Sequence, residues 1–190
     1  MKKLILNKFS PLYAKALYAF MLCFVLNILF NQLNAQEQKK GANHSSLSVG
    51  AEVAIPTGDL GIVAGVGLGA SAKAILPISH ATALTINAGY IYYTKKELGG
   101  YQVGGFNSIP LKAGVRISTG KGFYFEPQLG YSIFSADGES DGAFTYAGNV
   151  GYLINHAVDI SARYESATKD GVSLSHVGVR IAYNFSLGKK

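Results

Sequence analysis

A chain of 190 residues is one domain's worth of sequence, and no break in composition after residue 40 divides it. The net charge of +6 points to nucleic acid only until the charges are located: four lysines and no acid fall before residue 36, leaving thirteen bases against eleven acids beyond. A balance of +2 with no basic patch excludes nucleic acid as a partner.

The chain opens Met1-Lys2-Lys3, runs almost wholly apolar from Ala16 to Phe30, and reaches Leu33-Asn34-Ala35. Basic start, apolar run and small residue together predict a secretory signal over 1–35, cut after Ala35. The rival reading is an uncleaved anchoring helix, but Asn27 and Asn31 interrupt the run short of the ~20 apolar residues a span needs. The single cysteine, Cys23, lies within the run rather than closing it, so it is read as signal filler. Residues 36–46 form a polar lead-in.

From 47 to the C-terminus, apolar and polar residues alternate with period two, in segments of about ten broken by Gly, Asn, Asp, Ser and Thr. Eight strands are predicted, at 47–56, 65–76, 82–94, 108–118, 123–135, 143–154, 158–166 and 175–185. No stretch shows helical periodicity. An even number of antiparallel strands can close without leaving an edge.

Each strand has one apolar side, as in Leu47, Val49, Ala51, Val53, Ile55 of the first and Val177, Val179, Ile181, Tyr183, Phe185 of the last. The other side carries Glu52, Lys73, Asn87, Lys112, Arg116, Glu126, Gln128, Asn149, Asp159, Arg163, Glu165, Arg180 and Asn184. Eight strands enclose a lumen that side chains fill. The choice is between a dry apolar core with charges in water and a polar plug with apolar residues in lipid. Aromatics at strand ends, among them Tyr90, Tyr92, Phe123, Phe125, Tyr131, Phe144, Tyr152, Tyr164, Tyr183 and Phe185, form the interfacial girdle of the second kind, although tryptophan is absent. A tilted strand of ~10 residues rises about 25 Å, the height of the apolar band such barrels need.

The fold class expected is therefore all-β: an eight-stranded antiparallel up-and-down transmembrane β-barrel over 47–190, preceded by a cleaved signal peptide. The gaps after the second, fourth and sixth strands are short, the one from Lys95 to Asn107 is the longest, and those after the first, fifth and seventh are intermediate. That alternation predicts an outer-membrane location with both termini periplasmic. On strand count, facing pattern, loop alternation and the aromatic Phe185 ending the last strand, the chain resembles the small outer-membrane β-barrel superfamily of OmpA and OmpX type. It departs from many of them in its extra tail, Ser186 to Lys190. The resemblance implies a porin-like cell-envelope protein whose partners are outer-membrane lipid and, during insertion, the barrel-assembly machinery.

Glu52, Lys73, Lys112, Arg116, Glu126, Asp159, Arg163, Glu165 and Arg180 are predicted to form a lumenal ion-pair network, with Arg116 and Glu126 set opposite each other across a short turn. Lining an aqueous path is the alternative role for the same charges. Lys95, Lys96, Tyr101 and Phe106 mark the loop expected to meet an unidentified extracellular partner. Glu165, Ser173, Ser175 and His176 are residue types of a lipid hydrolase, but no nucleophile-elbow motif surrounds either serine. His44, His80 and His156 have no metal-ligand spacing, and the glycines at 61–69 lack the strand-loop-helix setting of a phosphate loop. No catalytic residue, cofactor or metal is expected. A monomeric structural or surface-interaction barrel leads; a narrow channel, a lipid-modifying enzyme and a lipocalin-like soluble carrier follow.

Overall fold

The computed structural model describes residues 45–98, 101–103, 105–119, 121–136, 138–154 and 157–187. The predicted signal segment 1–35 with Cys23, the lead-in up to His44, and His156 lie outside them.

Eight strands close into one barrel: β1 (Ser46–Thr57), β2 (Gly67–Pro77), β3 (Thr82–Tyr93), β6 (Phe106–Ser118), β7 (Phe123–Ala136), β8 (Glu139–Ile154), β9 (Val158–Lys169) and β10 (Val172–Ser186). Between β3 and β6 lies a small hairpin of β4 (Lys96–Leu98) and β5 (Tyr101–Val103). Each barrel strand is antiparallel to its sequence neighbour, and β1 closes the ring against β10 from Ser46↔Ser186 to Thr57↔Ser175. Closure pairs every barrel strand on both sides, which removes the exposed edge that an open sheet would present.

Side-chain alternation sorts residues between two environments. Val49, Val53, Leu68, Ile86, Leu111, Leu129, Val150, Val179 and Ile181 point outward and are exposed, while Glu52, Lys73, Lys112, Glu126, Asp159 and Arg163 point inward and are buried. In water this arrangement would be inside out. It is the surface of a protein solvated by hydrocarbon. Aromatics ring that apolar band at both ends: Tyr90, Tyr131, Phe144, Tyr146 and Tyr164 toward one, Phe123, Phe125, Tyr152, Tyr183 and Phe185 toward the other, where the described chain begins and ends. No helix among the described residues is long and apolar enough to cross a membrane.

Three features differ from the expectation. First, Gly58–Val63 forms a short helix, α1, in what reads as a glycine-rich gap. Second, β7, β8, β9 and β10 run past the apolar band, so the intermediate loops expected at 136–142 and 167–174 are continuous hairpins, paired as far as Ala136↔Glu139 and Lys169↔Val172. The second of these closes through Asp170 and Gly171, at φ of 50° and 84°, the left-handed pair that a two-residue hairpin turn demands. Third, pairing lapses where prolines remove a donor. The β3–β6 ladder skips Gly89 and Tyr90 opposite Pro110, and the β6–β7 ladder skips Val115 and Arg116 opposite Pro127 and Glu126.

Candidate functional site

Inward residues of all eight barrel strands meet in the lumen, and their charges, carried by six of the strands, fall into two groups. Toward the end where the termini lie, Glu126 on β7 receives Lys73 at 2.8 Å and Arg116 Nε at 2.8 Å, and Arg116 Nη2 lies 3.1 Å from Asp159. Thr85 and Gln128 also donate to Glu126 Oε1, at 3.2 and 2.6 Å. The Tyr124 hydroxyl donates to Asp159 at 2.6 Å while its ring lies 3.8 Å beneath the Arg116 guanidinium, a cation–π contact inside a desolvated space. Arg116 and Glu126 meet across the lapse that Pro127 leaves in the ladder.

Nearer the loop end, Glu52 on β1 binds Arg163 at 2.7 Å, lies 3.4 Å from Arg180, and accepts the Ser71 hydroxyl at 2.5 Å. Arg163 also approaches Glu165 at 3.2 Å, and Lys112 is ion-paired with Glu165. The Arg163 Nε and Arg116 Nη2 contacts are within ion-pairing distance but poorly aligned for hydrogen bonding, leaving those donors without such partners. Nine charged groups thus share seven contacts in a buried volume. In such surroundings each charge is tolerable only while its partners stay in place.

The loop-end mouth is closed differently. Leu60 of α1 drops into a cluster with Ala54, Ala64, Ile91 and Tyr93, against which Phe106 and Leu174 pack. The Tyr93 and Phe106 rings stack at 4.8 Å, and the Tyr93 hydroxyl lies 3.0 Å from His176 Nδ1, joining the apolar lid to the charged layer below. Hydrogen bonds tie the lid to the next loop: Gly65 N–H to the Thr94 carbonyl at 2.9 Å, Thr94 N–H to Val66 at 3.1 Å, and the Lys96 ammonium to the Gly61 carbonyl.

These contacts place the expected interaction loop. Lys95 is exposed. Lys96 is half-buried and bonded to α1, and Phe106 turns inward onto Tyr93, so both hold the lid rather than stand free. The Tyr101 side chain is outside the described set. The lid itself escaped the sequence reading because Tyr93, Phe106 and Leu174 are apolar residues facing inward, against the rule that holds at membrane depth.

The hydrolase residues are not assembled. Ser175 faces outward and donates to Ser166 at 2.9 Å, and Ser173 shares a hydrogen bond with Thr168 at 3.0 Å, whereas His176 and Glu165 are a cross-strand pair facing inward. Consecutive strand residues point to opposite faces, so His176 cannot serve the serine beside it. Among the described residues no cluster of His, Cys, Asp or Glu is arranged to hold a metal. At the hairpin tips, the hydrogen bond from Lys169 holds the Asp141 carboxyl below its ordinary range.

No protein-family model matches the sequence, and no curated protein matches it either. Solved structures do. Ail of Yersinia pestis in complex with the heparin analogue sucrose octasulfate superposes with a TM-score of 0.55 at 18% identity, over 75% of this chain and 98% of that one. Ail in a phospholipid bilayer nanodisc gives 0.56 at 17% identity, over 76% and 100%. The N-terminal β-barrel domain of Pseudomonas aeruginosa OprF gives 0.55 at 13%, over 74% and 97%. Identities this low carry the fold alone, and on that ground the chain has the eight-stranded β-barrel fold of small outer-membrane proteins of the OmpA and OmpX type.

Proposed function

We propose that the protein is an integral outer-membrane barrel that acts as a plugged scaffold, presenting its loop end to a partner outside the cell while both termini stay in the periplasm. The observation that carries this reading is the two-layer seal: paired charges fill the lumen, and Leu60, Tyr93, Phe106 and Leu174 cover it at the loop end. A solute path would have to break buried ion pairs, each strongly unfavourable to open one-sidedly. The projecting β7–β8 and β9–β10 hairpins supply the rigid surface on which an interaction would be built.

Two measurements on the full protein test this. In planar bilayers it should show no discrete conductance steps, whereas regular openings would replace the scaffold with a channel. A cysteine introduced at Asp170 should react with an impermeant maleimide on intact cells. Labelling only after the outer membrane is breached would invert the topology.

A further inference from the structure

Two adjoining depressions, of about 570 and 320 Å³, lie between the lid and the projecting hairpins and share Phe134, Asp141 and Leu174. Their floor is apolar and aromatic. Phe134 meets Phe106 edge-on at 6.1 Å, with Leu60, Val63 and Leu174 beside them. These residues face into the mouth, above the outer ring of Tyr90, Tyr131 and Tyr164, so bulk lipid does not account for them.

The rim is acidic. Among the described residues lining the groove, Glu139, Asp141 and Asp170 stand against one base, Lys169, which is ion-paired with Asp141. Among the described residues, neither Glu139 nor Asp170 has an ion-pair partner. An anion would meet two carboxylates that form no ion pair, of which Asp170 alone feels the charge of the neighbouring Lys169. A cation on an apolar body would meet carboxylates at its head and the faces or edges of two aromatic rings along its length, the combination that favours ammonium and guanidinium groups.

We infer that the groove between the α1 lid and the β7–β8 and β9–β10 hairpins binds an organic cation, an ammonium or guanidinium group carried on an aromatic or branched apolar body. This rests on the reading of the loop end as the interacting end. A nanodisc exposes both ends of the barrel, so a failure of binding is separable from a failure of topology, which the labelling assay reads.

The test is an amide NMR titration of the full protein in nanodiscs with phenethylammonium, using phenethyl alcohol and phenylacetate as neutral and anionic counterparts and protein-free nanodiscs to subtract partitioning. Saturable shifts confined to residues around Phe106, Phe134, Glu139 and Gly142 are expected, with the ammonium binding tightest and phenylacetate weakest. The double variant Glu139→Gln/Asp170→Asn changes only exposed side chains and should weaken the ammonium about five- to tenfold, as the loss of two exposed charge contacts implies. Phe134→Leu should weaken both the amine and the alcohol. Unsaturable shifts, equal binding of amine and alcohol, or an unchanged affinity in the double variant would each overturn the proposal.

Discussion

Arg163 Nη2 and Glu52 Oε2 lie 2.7 Å apart although 111 positions separate them in sequence, and they reach each other from β9 and β1, which do not pair. The bond bridges over β10, so the lumen ties strands together independently of the backbone ladder. It also orders the closing strand, since Arg180 on β10 donates to Ser71 at 2.8 Å and to Ser48 at 3.1 Å while lying beside Glu52.

Removing the shared carboxylate should therefore cost more than one contact. Glu52→Gln leaves Arg163 and Arg180 facing each other across a neutral amide, and breaking one partner of a buried pair costs about 3–5 kcal/mol. Urea unfolding in lipid vesicles should show a lower midpoint with an unchanged slope. An unaltered midpoint would mean that the network adds nothing to stability.

Exchanging Arg116 and Glu126 should restore little. Glu126 also receives Lys73, Thr85 and Gln128, so Arg116→Glu/Glu126→Arg brings two cations together at Lys73. The double variant should remain less stable than the parent by at least about 2 kcal/mol, within the range of an unpaired buried charge. Full recovery in the same unfolding assay would show that the pair acts alone.

Loosening the lid should act locally. Leu60→Ala removes the one α1 side chain buried in the mouth cluster, a change worth about 2–5 kcal/mol in a packed core. A single-turn helix has little stability of its own, so the loss should appear as faster amide exchange over 58–66, with strand amides at 126–132 unchanged. Uniformly faster exchange would make the lid part of one cooperative unit with the barrel.

Two glycines separate crowding from composition. A Cβ at Gly130 would stand 2.0 Å from the Leu111 carbonyl oxygen, whereas at Gly148 the nearest atom is 4.0 Å away on Phe125. Gly130→Ala should destabilise by about 1–3 kcal/mol through forced backbone movement, and Gly148→Ala should be neutral. Equal effects in the two variants would refute the close approach of β6 and β7.

Alternation made the lumen legible because at membrane depth the two faces meet opposite solvents: Glu52, Lys73, Lys112 and Arg163 stand on the polar phase of strands whose other phase is apolar. Above the aromatic ring that contrast ends. Phe106 and Leu174 then turn inward and Ser166 and Ser175 outward, so residue type no longer reports facing. Gly58–Val63 spans less than two helical turns, too short for a 3.6-residue period to register. The hairpin tips read as loops because Glu139, Ser140 and Asp141 pair through their backbones while their side chains resemble those of a turn.

The central claim is that the apolar face is outside and the charged face within. It is tested most directly by gel migration of the detergent-folded protein with and without boiling, together with withdrawal of the detergent. The arrangement of Leu111, Leu129, Val150 and Ile181 on the outer surface predicts a shift in migration on boiling and aggregation once detergent is removed. A stable, detergent-free monomer whose migration boiling does not change would contradict it.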